Sequence, residues 1–227
     1  MKTIVSTKVL SQEQKAILSV LPIHLIEHNF ITVSPITMSL TPPYDLLIVT
    51  SQNAVKSLSQ HPLATTLKET PVFCVGEQTQ QLLTQNGFNV LLFAHYASDL
   101  VQYLQQNLTS LKKLTSIAFF AGTQRLNTLP NFFVENNLKV KEITAYKTEY
   151  TPIEIKENAS AILFYSPSGV ESYCTRNTLT AEQQIFCIGK TTAEAVKNRL
   201  KKQTENIILP PIPTVKSLLE ILSINLK

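Results

Sequence analysis

The chain has 227 residues, enough for one or two domains with substantial cores, so it does not need disulfide or metal staples in order to fold. Its 44% hydrophobic and 16% charged residues are ordinary for a globular protein and exclude a disordered or low-complexity chain. A formal charge of +4, with Lys and Arg scattered rather than striped, is too little by itself to argue for a nucleic-acid partner.

Taken in order, KTIVST (2–7) reads as a strand and SQEQKAILSVL (11–21) as a helix opened by Ser11. No apolar core follows the first lysine, so no signal peptide is expected, and no apolar run approaches the ~18 residues of a membrane span. Residues 23–40 read as one long extended stretch with Pro35 in its middle. YDLLIVTS (44–51) is a buried strand feeding the helix QNAVKSLSQ. PVFCVG (71–76), NVLLFA (89–94) and LTSIAFFAG (114–122) are further strands, each followed by a helical pattern. LKVKEITAYKTEYTP (138–152) is again long and extended, after which ASAILFYS, QIFCIG and ENIILP alternate with three more helices. Strands alternating with helices predict parallel sheets with helices on both faces.

The chain also repeats itself. TSQNAVKS at 50 matches YSPSGVES at 165, Gly76 matches Gly189, and Leu100 in SDLVQYL matches Leu218 in KSLLEIL, at offsets of 115, 113 and 118. Three corners in the same order mark an internal duplication. The expected fold is therefore α/β: two similar doubly wound, flavodoxin- or Rossmann-like lobes. The lobes are read as 1–33 with 151–227, and 37–146. Linkers near 34–40 and 143–150 would form a two-stranded antiparallel connector.

In open α/β sheets, ligands bind beyond the carboxyl ends of the strands. Thr50, Ser51, Gly76, Gly122, Ser166, Ser168, Gly169, Lys190, Thr191 and Thr192 fall there, at helix starts whose free N–H groups suit anions. For any one of them alone helix capping is the better reading, and Ser168 with Glu171 and Thr191 with Glu194 fit capping boxes. Facing one cleft, they would form an anion-lined site. HLIEH (24–28) matches a zinc-protease pattern, but Pro22 before it and NFITVS after it predict a strand rather than the helix that pattern needs, so no metal is expected. GKTT (189–192) lacks the earlier glycine of a phosphate-binding loop, with Gln184 and Ile185 standing there instead. The run Lys197–Lys202 reads as a solvated helix end. Cys74, Cys174 and Cys187 form no CxxC and suit a reduced, cytoplasmic setting. Tyr146, at the end of the returning connector, is either hinge packing with a wet hydroxyl or a phenol that gives a proton or hydrogen bond.

The series TSQNAV, FCVGEQT, FFAGTQR, ITAYKTEY, LFYSPSG, CIGKTTAEA and PTVKSLLE, spread over nearly the whole chain, resembles uroporphyrinogen-III synthase. The resemblance implies cyclisation of hydroxymethylbilane, a linear tetrapyrrole polycarboxylate, with inversion of its last ring and loss of water. It further implies a monomer with no metal or organic cofactor and no membrane or nucleic-acid partner, and raises transient contact with the preceding enzyme of the pathway. By position it gives Tyr146 a part in the departure of the hydroxyl, and it sets the hydroxyl and glycine corners, with Arg125, against the substrate's carboxylates. Two departures stand out: Gln52-Asn53 where relatives often have Pro-Arg, and Leu126 where a second basic residue is common. The rival reading is a non-catalytic two-lobed binder of small anions.

Overall fold

The structure, a computed structural model, describes residues 1–200 and 206–226. Lys201 and Lys202 of the basic run lie outside the described residues. The chain divides into two compact units, Met1–Thr32 with Glu149–Lys227, and Val33–Thr148.

The chain opens with β1 (Lys2–Ser6), α1 (Gln12–Leu18) and β2 (Ile23–Glu27), and continues through β3 (Ile31–Pro35) into the second unit. There follow β4 (Leu46–Val49), α2 (Gln52–Ser59), α3 (Ala64–Leu67), β5 (Val72–Val75), α4 (Glu77–Gln85), β6 (Val90–Ala94), α5 (Ala97–Gln106), α6 (Leu108–Leu111), β7 (Ile117–Gly122), α7 (Thr128–Glu135) and β8 (Val140–Tyr150). The first unit is completed by β9 (Ala161–Phe164), α8 (Pro167–Tyr173), β10 (Gln184–Cys187), α9 (Lys190–Leu200), β11 (Ile207–Ile208) and α10 (Val215–Asn225).

Local chemistry explains these elements. Ser11 caps α1, accepting from Gln14 N–H while the Gln14 side chain accepts from Ser11 N–H, a reciprocal capping box. All four residues of β4 are buried, but on opposite faces: Leu47 and Val49 enter one core, Leu46 and Ile48 the other. Helices cover both faces of a parallel sheet, so its central strands carry unbroken apolar runs. Each such side chain removed from water contributes ~1.5–3 kcal/mol.

The strand order is β11-β10-β9-β1-β2 in one sheet and β3-β8-β7-β4-β5-β6 in the other. The α/β architecture with two parallel-dominated sheets is as the sequence predicts, and the structure extends the repeat. Besides the three corners legible in sequence, β1-α1-β2 of the first unit takes the place that β7-α7-β8 takes in the second. In the first unit this piece precedes the three corners along the chain; in the second it follows them.

Two extended readings need correction. Residues 23–40 do not form one ribbon. They break at 28–30, where fully buried Phe30 stacks with Tyr173 and its carbonyl accepts from Thr151 N–H (2.9 Å). Residues 143–146, read as connector, are sheet: β8 runs parallel to β7 from Val140 to Tyr146. Its far end pairs with β3, and Ile36 N–H to Ala145 O (3.1 Å) with Thr151 N–H to Phe30 O (2.9 Å) show that pairing to be antiparallel. HLIE of the zinc pattern lies on β2 with His28 just beyond it, so the helix that the pattern needs is not formed.

Candidate functional site

In the second unit, Tyr146 at the end of the β7-paired part of β8, Gly122 at the end of β7, Thr50-Ser51 after β4 and Gly76 after β5 lie on neighbouring strands in that spatial order. At ~4.8 Å per strand the row is ~14 Å long. Ser51 caps α2, its hydroxyl accepting from Asn53 N–H (3.1 Å). Gly76 begins α4 at φ 88, a left-handed conformation that a side chain would strain, and no side chain caps that helix. Glu77 already places a carboxylate in its first turn. Gln52 donates from its amide to Gln78 Oε1 (2.9 Å), bridging the starts of α2 and α4 with neutral groups.

Tyr146 is half-buried against the core that contains Val49 and Phe120. A bulge sets its direction. The β7–β8 register passes from Ala121 opposite Thr144 to Gly122 opposite Tyr146, skipping Ala145. The hydroxyl has no hydrogen-bond partner among the described residues, which leaves it available to a ligand.

Arg125 does not join this row. Its Nη2 donates to Glu142 Oε2 (2.9 Å), its Nε to Oε1 (2.5 Å), and Nη1 to Asn127 Oδ1. The bonds to Glu142 hold its pKa above the ordinary value. Since Glu142 lies opposite Phe119, mid-strand, the guanidinium is folded back along the sheet.

In the first unit, β10, β9 and β1 are neighbours and end on Gly189-Lys190-Thr191, Tyr165-Ser166 and Thr7. Ser166, not Ser168, caps α8, its hydroxyl accepting from Gly169 N–H (3.1 Å), and Pro167 occupies the first turn. Ser168 therefore sits inside the helix, and its expected capping box with Glu171 is absent: Glu171 pairs with Arg199. Because Pro167 has no N–H and that of Gly169 is taken, the N–H of Ser168 is the first-turn donor left over. At α9 the Gly189 carbonyl accepts from Thr192 and Ala193 N–H (both 3.1 Å), so Thr191 is likewise within the helix and Glu194 pairs with Lys197 instead. Thr192 is 1% exposed and faces the core, which removes it from any surface site.

Sequence reading missed Ser6, Thr7 and Tyr165. The Thr7 hydroxyl donates to Leu163 O (2.8 Å) and lies close beside Gly169. Ser6 donates to Lys8 O (2.6 Å), so Tyr165, 2.9 Å away, donates to Ser6. Burial pushes the Tyr165 phenol well above its ordinary range, with Ser6 pulling it down and Glu27 adding to the rise. The advance signal was their place at the carboxyl ends of β1 and β9. Burial likewise pushes the thiols of Cys74 and Cys174 up to about 11 and that of Cys187 to about 12, which disfavours the reactive thiolate. Among the described residues no group of three or more His, Cys, Asp or Glu could hold a metal ion, and no helix is long and apolar enough to cross a membrane.

The fold and these edges define a class: open, parallel α/β units carrying glycines and hydroxyls at their carboxyl ends. A family model, Uroporphyrinogen-III synthase HemD, matches residues 10–220, and the chain belongs to the uroporphyrinogen-III synthase family. It is thus an enzyme of porphyrin biosynthesis with a small-molecule substrate. The fold is similar to that of uroporphyrinogen-III synthetase from Helicobacter pylori, at 19% identity and a TM-score of 0.66 with 100% of both chains covered. It is also similar to a mutant uroporphyrinogen III synthase from the extremely thermophilic bacterium Thermus thermophilus, at 15% identity and a TM-score of 0.74, covering 100% of this chain and 99% of that one. No curated protein matches the chain.

Proposed function

We propose that this chain is a cyclising hydro-lyase that converts hydroxymethylbilane to uroporphyrinogen III and water, acting as a cytoplasmic monomer. The supporting observation is the row of Tyr146, Gly122, Thr50-Ser51 and Gly76 along one sheet edge. It combines one phenol that has no hydrogen-bond partner among the described residues with several groups suited to carboxylates.

The substrate's terminal pyrrole nitrogen pushes out the adjacent hydroxide, leaving a stabilised cation; a proton from Tyr146 turns the departing group into water. The substituted carbon of the last ring then attacks that cation to give a spiro intermediate; the bond from this carbon to its original bridge breaks, and the ring's free α-carbon bonds to that bridge, which inverts the ring. A proton lost from the ring carbon restores the phenol, so one water leaves overall. No step calls for a metal or organic cofactor. Unaided, the bilane closes to the symmetric isomer, and favouring inversion a hundredfold needs ~2.7 kcal/mol of transition-state preference. Holding the bilane in one curl supplies that amount. Its acetates and propionates are taken by Thr50, Ser51 and the amides near Gly76 and Gly122 in one unit. The matching corner groups of the first unit, Ser166, Ser168, Gly169, Lys190 and Thr191, are suited to the same charge-assisted bonds with carboxylates.

The test is Tyr146→Phe. Turnover is expected to fall ~10²–10⁴-fold with thermal unfolding unchanged, as for loss of a general acid. A variant turning over at the wild-type rate would reduce Tyr146 to packing.

A further inference from the structure

We propose that Gly122 and Thr123 are positioning residues that seat the Tyr146 ring for proton donation; the inference rests on the reading of Tyr146 as the donor. Gly122 lies at the end of a strand without the positive φ that would by itself favour glycine. Space is what demands it. A Cβ at Gly122 would lie 2.3 Å from two carbons of the Tyr146 ring and 2.8 Å from the phenol oxygen. The ring therefore lies flush on the Gly122 backbone, and any side chain there displaces it by about an ångström or more.

Thr123 holds the backbone beneath that ring. Its N–H donates to Tyr146 O (3.1 Å), and its hydroxyl accepts from Thr148 N–H (3.0 Å). These two bonds clamp the strand on both sides of Lys147, just beyond the bulge at Ala145. From the opposite side, Ile36 N–H donates to Ala145 O (3.1 Å). The bulge thus aims the phenol, Gly122 makes room for it, and Thr123 keeps the aim. A donor misplaced by ~1 Å can lose ~10²-fold in rate, so the seat acts on kcat rather than on substrate affinity.

The experiment measures kcat and KM for Gly122→Ala, Thr123→Val and Thr123→Ser, each in the wild-type and Tyr146→Phe backgrounds. Gly122→Ala is expected to lose ~10²-fold in kcat and Thr123→Val about tenfold, with KM little changed. Thr123→Ser, which keeps the hydroxyl, restores the rate. In the Tyr146→Phe background neither change costs anything further. Should Gly122→Ala fail to fold, the Val and Ser pair at exposed Thr123 decides the matter. The Gly122 Hα resonance gives a second readout: ring current from Tyr146 shifts it upfield, and Thr123→Val weakens that shift. If Tyr146→Phe is impaired while Gly122→Ala and Thr123→Val turn over normally, the seat is wrong and the donor stands. Equal slowing in both backgrounds also overturns the seat. A fully active Tyr146→Phe removes donor and seat together.

Discussion

Arg125 shows how a residue changes meaning between sequence and structure. In sequence it is a cation beside a glycine at a strand end, positioned to meet a carboxylate. In the structure it is paired to Glu142, and the duplication explains why. Glu142 stands opposite Phe119 in β7 as Glu27 stands opposite Ser6 in β1, and these two strands face Ile48 and Leu163, which are related by the repeat. Glu27 accepts from Leu10 N–H (3.0 Å) and pairs with Lys15; burial raises its pKa, but Lys15 and that N–H outweigh burial and leave it lowered. Each unit therefore ties the strand beside its site to the segment after the preceding strand by one glutamate. Arg125→Gln and Glu142→Gln are each expected to cost at most ~1 kcal/mol of stability, since both side chains are partly exposed. The double variant should cost no more than either, with kcat/KM near wild type. A large rise in KM for Arg125→Gln alone would return Arg125 to the substrate.

At the scale of elements, the apolar strands and most helices were legible because burial on both faces leaves an unmistakable apolar run. Helix starts were less so. Ser168 looked like the cap of α8, yet Pro167 belongs at a first helical position and so points to Ser166, a signal present in the sequence and outweighed by the S-x-x-E spacing. The two roles of β8 were hidden because a strand paired on one side and a strand paired on both share one alternation; the bulge at Ala145 has no composition of its own. One link between elements carries a pH signature. At the entry to β4, Asp45 Oδ2 accepts from Thr115 N–H (2.7 Å), Thr115 Oγ1 (3.0 Å) and Ser116 N–H (2.9 Å), and these bonds hold its pKa below the ordinary value. A carboxylate with a depressed folded pKa stabilises fully above its unfolded pKa of ~3.9, and that contribution is lost as pH falls through the folded value. Urea unfolding midpoints of wild type and Asp45→Ala should thus differ at pH 7 and converge once the pH has fallen through the lowered folded value. A gap that persists unchanged into acid would assign the effect to packing instead.

For the molecule as a whole, the duplication was the most informative thing in the sequence, though only part of it could be read. Three corners align because they keep the strand, the glycine or serine and the helix in one order. The fourth piece, β1-α1-β2 against β7-α7-β8, escaped because it sits on opposite sides of those corners along the chain, and only the strand order relates the two. Ser6 and Thr7, at the end of β1, escaped with it. On the proposed function, the glycine and hydroxyl edges would take the carboxylates of a substrate that is itself a string of similar rings, and the product would be set by how that string is held. The most direct measurement follows from this. Freshly prepared hydroxymethylbilane is incubated with the protein, the products are oxidised, and the porphyrin isomers are separated by chromatography. The account predicts isomer III in large excess. Isomer I alone, in the yield given by buffer without protein, would contradict it.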